Sequence, residues 1–281
     1  MSALGRILTI VRLTLHEAAR RRILVAALIG ALAFLALYAV GFHFVAREAA
    51  REGAASALQR RMVLNFFTLA GLYATNLLVV LSSVLLPIDT LSGEISSGVM
   101  QTLASKPVRR AEILLGKWFG YWLVCAAYLL VVAGGVLAIA WFRGGFMPPN
   151  PVQGLSLMLL EVTCLVSLSI AGGTRLSTVT NGVLAFGLFG LAFIGGWIEQ
   201  VASMTNNIAA RNVGTVASLL VPTESMWQLA AHLMQPKILA ELHMSPFSMP
   251  AVPSVAMVWW AVGWAVAMLL FAVRGFSRRG L

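Results

Sequence analysis

Residues 23–45 read ILVAALIGALAFLALYAVGFHFV, a run of 23 residues without Asp, Glu, Lys or Arg, held between Arg20-Arg21-Arg22 and Arg47. An α-helix rises ~1.5 Å per residue and the bilayer's hydrocarbon core is ~30 Å thick, so about 20 apolar residues are enough to cross it. The run is longer than the ~7–15 apolar residues of a signal peptide and lacks a clear small-x-small cleavage pattern, so it reads as a retained first span. Composition extends that reading to the whole chain. Of its 281 residues 59% are hydrophobic and 11% charged, with a mean hydropathy of +0.88. Soluble proteins carry roughly 25% charged residues. These values exclude a soluble enzyme, a disordered chain and a disulfide-stapled secreted domain, and leave an integral membrane protein.

Moving outward from the first run, five more apolar stretches occupy about 62–88, 113–142, 154–173, 181–198 and 252–273. None alternates with period two, so helices are expected rather than barrel strands. The fold class is therefore an all-α polytopic membrane protein, one transmembrane domain over residues 1–281 with six spans. Gly134-Gly135, Gly172-Gly173 and Gly195-Gly196 interrupt the later runs where helices can approach closely or bend. With six spans both termini share a side, and that side holds thirteen of the 20 Lys and Arg against seven on the other. The positive-inside bias makes it cytoplasmic, in an inner membrane. The net charge of +10 is thus read as orientation and contact with anionic lipid head groups, not as a nucleic-acid surface. Cys125 and Cys164 both fall in apolar runs and read as small core residues.

Three stretches outside the spans have a pattern of their own. The leader, 1–22, is amphipathic over 4–20: Leu4, Ile7, Leu8, Val11 and Leu15 share one helical face, and Arg6, Arg12, His16 and Arg20 the other. Such a helix is expected in the cytoplasmic interface plane. The outer stretch, 199–250, is long. In it Val213–Val221 is a short apolar run ended by Pro222. Thr223 is then placed to cap a second helix with Met226, Leu229, Ala230, Leu233 and Met234 on one side. Both pieces are too short to span, so they are expected to dip into or lie on the outer leaflet, with Pro222, Thr223 and Trp227 as an outer gate or a dock for an extracytoplasmic partner.

Signatures of hydrolases, metalloproteases, nucleotide-binding loops and dithiol redox sites are missing from the sequence, so no catalytic residue and no bound cofactor is expected. His232, Met234, His243, Met244 and Met249 form a soft-donor group in the outer stretch. Met234 is already explained by the apolar stripe, and no metal site is assigned. Glu161 lies well inside the fourth span, where a charge costs ~2.5–3.5 kcal/mol on insertion scales. With Asn65 and Asn76 of the second span it marks a candidate transport path, and it is what an ATP-independent secondary transporter or channel would use. An intramembrane enzyme would need a facing pair of catalytic groups, which the sequence does not suggest.

The cytoplasmic stretch 89–112 is the most informative. Ile95, Val99 and Leu103 recur every four residues, giving a short helix with one apolar stripe, and Lys106-Pro107 stops it. The chain restarts as a lead-in from Arg109 to Lys117 that enters the third span. An apolar stripe on a short connector either lies on the membrane surface or docks into a cleft of a soluble partner. Glu94, Gly98, Leu103, Pro107, Val108, Arg110, Ile113, Leu114, Gly116 and Lys117 follow the pattern E-x-x-x-G…L-x-x-P-[VL]-x-R…I-L-x-G-K. That pattern resembles the signature of ABC-2 type transporter permeases, and most of all the branch containing the membrane subunit of the nitrous-oxide reductase maturation transporter. Leu220–Trp227, LVPTESMW, is similar to a second segment of the same family.

The resemblance implies an exporter permease, a dimer with a second copy or a sister permease, seated on two ABC ATPase subunits that bind ATP and Mg. The chain carries no nucleotide-binding motif, so the ATPase is expected to be a separate subunit. Glu94–Ala104 would be the coupling helix inserted into the ATPase, with Glu94, Ile95, Gly98, Val99, Leu103, Pro107, Arg110 and Lys117 as the coupling set. Glu94 and Arg110 would hold the coupling helix, the leader and the third span in register.

Overall fold

In the computed structural model, residues 3–51, 57–96, 109–205, 207–237 and 251–278 are described. Among them are ten helices and no strand. They are α1 Ala3–Arg20, α2 Arg22–Arg51, α3 Ala57–Leu85, α4 Ser92–Ser96, α5 Arg110–Gly144, α6 Pro151–Gly173, α7 Thr178–Met204, α8 Ile208–Leu220, α9 Thr223–Leu233 and α10 Val255–Ser277. Six of these, α2, α3, α5, α6, α7 and α10, are long and apolar enough to cross a membrane. They coincide with the six expected runs, with ends that shift by a few residues.

Two of the shifts have a clear cause. The second span stops at Leu85 instead of running to 88, because Pro87 cannot donate to the helical ladder and disfavours helix in the residue before it. The chain then turns, with the Thr90 amide donating to the Pro87 carbonyl at 3.1 Å and the Gly93 amide to Asp89 at 3.0 Å. The third span starts at Arg110 because the expected lead-in is continuous with it. It ends at Gly145, whose φ of 61° is open to glycine at little cost and whose amide donates to the Trp141 carbonyl.

Contacts between the helices fix their directions. Phe42 lies against Gly144, and Tyr128 donates to the Ala27 carbonyl at 3.1 Å, so α2 and α5 run the same way. Arg60 bonds the Gly144 carbonyl and Tyr38 approaches Gly71, which sets α3 antiparallel to both. Trp118 and Trp122 donate to Ser167 and Thr163, each at 2.9 Å, so α6 descends beside α5. The Cys164 and Ala261 contact, with Gly275 beside Thr174, aligns α10 with α6. The start of α1 and the end of α10 therefore lie at one end of the bundle, with α4, the start of α5 and the turn after α6. The core centres on α5 and α6, where Tyr121, Leu129, Met158, Val162 and Leu165 are fully buried.

The leader takes a position that its pattern only partly foretells. It runs alongside the first third of α5, with Ile10 against Gly116 and Thr14 against Gly120. A Cβ added at either glycine would lie 2.6 Å from those side chains. The expected single apolar face is divided: Val11, Thr14 and Ala18 are buried, while Leu4 and Leu8 remain 70% and 59% exposed. Glycines on α5 select small or β-branched partners, and the bulkier leucines are left facing outward.

At the opposite end α8 turns back along α7 and α9 climbs out again, forming a helical hairpin. Gly214 of α8 lies against Gly195 and Glu199 of α7, and Gly196 lies against Glu224 of α9. The expected cap at Thr223 does not form. Pro222 is the N-cap residue, without a side-chain cap bond, and the Thr223 hydroxyl is buried and unpartnered. The break instead frees carbonyls at the end of α8. The indoles of Trp260 and Trp264 on α10 donate to the Leu219 and Leu220 carbonyls, each at 2.9 Å. Backbone broken among apolar helices must find its partners within the protein, and two tryptophans one turn apart supply them.

Candidate functional site

At the end carrying the termini, the sequence places charges on α1, α4 and α5, and the fold brings them into one network. Lys117 of α5 is 4% exposed and forms an ion pair with Glu94 of α4. Its ammonium also lies 3.7 Å from Glu17 of α1. Glu17 pairs with Arg21 at 2.5 Å and accepts from the Tyr121 hydroxyl at 3.4 Å, while the Arg21 guanidinium stands 5.8 Å from the centre of the Tyr121 ring. One buried cation thus joins the connector after the second span to the third span and the leader. Burial lifts the Glu94 carboxyl above the ordinary carboxylate range, and the Lys117 ammonium opposes that rise.

Arg110 reaches the end of the last span. Its guanidinium donates to the Ser277 carbonyl at 3.3 Å, linking α5 to the end of α10. A further bond between the leader and the third span is made by Arg6 and Glu112, bidentate at 2.6 and 2.8 Å. Glu112 also accepts from the Arg109 amide at 3.2 Å, so it caps α5 as it holds α1. Its signal in the sequence was an acidic residue in a first helical turn, where the helix dipole favours it.

The root of α4 is held from a further side. Thr178 at the start of α7 donates to Asp89 at 2.7 Å and bonds Ser92 at 2.8 Å, and the Asn181 side chain donates to the Ile88 and Ser169 carbonyls. Neither Asp89 nor Thr178 stood out in sequence; a Ser-Thr pair before an apolar run marks a helix start, which says nothing of its partner across the bundle. Ile95 falls within α4. Gly98, Val99, Leu103 and Pro107 of the coupling set lie outside the described residues.

Deeper in the bundle, Asn76 of α3 and Glu161 of α6 are 2% and 1% exposed, and the Asn76 amide donates to Glu161 Oε1 at 3.3 Å. Asn65, grouped with them from sequence, is also buried but sits eleven residues from Asn76 on the same helix, about 16 Å at ~1.5 Å per residue. The structure joins two of the three. The expected outer-gate residues are likewise inside the bundle: Pro222 is buried at the hairpin break, and Trp227 is 1% exposed with its ring 5.4 Å from that of Tyr73 on α3. Glu224 and Gln228 of α9 face the same seam, and Gln200 of α7 donates to Gln228 at 3.5 Å. Among the described residues no group of three metal-ligating side chains occurs. Met234 is buried against Gly154, and His243, Met244 and Met249 lie outside the described residues.

A bundle of spans whose connector is clamped at one end, and whose interior is entered by a hairpin from the other, has the build of a transport permease. The chain belongs to the ABC-2 family of transporter proteins, whose sequence pattern matches residues 8–281. It is accordingly a multi-pass membrane protein, and its family implies an ABC ATPase as partner. No curated protein matches the chain.

Proposed function

We propose that this chain is the membrane-spanning subunit of an ABC exporter, of the branch containing the nitrous-oxide reductase maturation permease, driven by separate ATPase subunits. The observation that carries the reading is the Lys117 joint. A short helix that pushes on a partner transmits force only if its root is fixed, and α4 is fixed to α5 and α1 through Lys117 and to α7 through Thr178. In this reading the termini-bearing end faces the cytoplasm, the stretch Glu94–Ala104 enters a groove of the ATPase, and ATP with Mg is bound and hydrolysed there. Closure of the ATPase pair displaces α4, and α3 and α5 relay the displacement to a path at the interface with a second permease copy. The physical content is a packing arrangement with two states, biased from a distant site.

The test is co-purification with the partner ABC ATPase. Glu94→Ala and Val99→Asp variants in mild detergent are expected to lose the tightly bound ATPase that the unmodified chain retains. Retained binding together with unchanged stimulation of hydrolysis overturns the assignment.

A further inference from the structure

The Asn76 and Glu161 pair leaves a pattern that the coupling mechanism does not use. Asn76 Nδ2 donates to Glu161 Oε1, while Asn76 Oδ1 and Glu161 Oε2, the other oxygens of the same two groups, are buried and unpartnered. Buried polar oxygens are rarely left so, because each gives up its bonds to water. Turning the amide over would only set its oxygen against Oε1. A single hydrogen on Oε2, turned toward Oδ1, would give both orphans a partner, since a carboxylic acid and a primary amide can close a ring of two hydrogen bonds. In that ring the amide N–H donates to the acid carbonyl and the acid O–H to the amide carbonyl.

We propose that Asn76 and Glu161 form a proton-binding site in the middle of the bundle, in which Glu161 is a neutral carboxylic acid closed into a ring with the Asn76 carboxamide. The proton ties α3 to α6 at the level where the hairpin reaches deepest. The titratable groups around it fit a neutral partner. Glu224 faces Glu161 from α9, Cys164 lies one turn along α6, and Tyr73 of α3 lies toward Glu224. None of the three brings a positive charge. With both carboxyls ionised, two negative charges would meet across the seam and push the hairpin away from α6. The site therefore couples protonation of these carboxyls to the position of α9, whatever drives transport.

The test is infrared spectroscopy of the full-length chain in lipid nanodiscs at neutral pH. The unmodified chain is expected to show carboxylic-acid carbonyl absorption that shifts in D2O, and Glu161→Gln is expected to lose the band due to Glu161 in the difference spectrum, leaving that of the buried Glu224 carboxyl. Glutamine can replace the acid in the ring, its amide donating to Asn76 Oδ1, so this variant is expected to fold and to keep its thermal stability. Asn76→Leu is expected to move the band to higher frequency, as a carbonyl relieved of its hydrogen bond does. A spectrum in which Glu161→Gln removes only carboxylate bands overturns the proposal. So does stabilisation of the unmodified chain, but not of Glu161→Gln, by sodium or potassium over choline, which would make the occupant a metal cation.

Discussion

Replacing Lys117 with methionine is expected to uncouple the permease from its ATPase, lowering substrate-stimulated hydrolysis by about tenfold or more, within the ~5–150-fold range of coupling between distant sites. Methionine keeps most of the stem's volume and removes the charge. What remains is Glu94, with a side chain 16% exposed, and Glu17, 36% exposed, facing each other without a cation between them. Removing one partner of a buried pair costs ~3–5 kcal/mol when the other charge stays buried, and the partial exposure of both carboxylates here brings that down to about 2 kcal/mol. The loss falls on the root of α4 and not on the core, so the chain should still assemble. Glu94→Gln in the same background removes the repulsion between the two carboxylates, and the double variant should recover part of the stimulation. A measured coupling near zero between the two substitutions would show that the ion pair is an ornament of the fold.

The second large effect concerns the hairpin. Gly214→Leu is expected to expel α8 from its seat on α7, abolish transport, and destabilise the protein by about 3 kcal/mol, at the upper end of what overpacking costs. Even a Cβ at Gly214 would lie 2.6 Å from the Gly195 carbonyl oxygen and 2.9 Å from the Glu199 amide nitrogen. Those are backbone atoms, so no side chain can turn aside. Gly195 offers an internal control, because its Cβ would collide with that of Ala217 on α8. Gly195→Ala should weaken the protein, and adding Ala217→Gly should restore much of the loss. Resistance to unfolding in detergent measures both. An unaltered Gly214→Leu protein would mean that the hairpin does not rest on α7.

Much of this architecture is legible from the chain alone, and what is hidden has one physical cause. Spans declare themselves because apolar length is a local property, and both short helices at 208–233 show in the apolar stripes around Pro222. Glu94 and Lys117 were grouped by a motif, and the fold pairs them. Rotation of one helix about another is not local. It decides that Leu4 and Leu8 point outward and that Arg6 meets Glu112, while position along the axis decides that Asn76 rather than Asn65 meets Glu161. Depth is also set by packing. Pro222 and Trp227 lie inside the bundle because Gly195, Gly196 and Gly214 let the hairpin in, and because Trp260 and Trp264 donate to the carbonyls at its break. A helical pattern specifies that a hairpin exists but not how far it enters.

The central claim is that the segment beginning at α4 is gripped by the ATPase. Its most direct measurement is cross-linking from a photoreactive residue placed at Val99 in the assembled complex. An adduct with the ATPase subunit whose yield changes between nucleotide-free and ATP-trapped states is the expected result. An active complex that yields no such adduct, or labelling of position 99 solely from the extracytoplasmic face, would contradict the account.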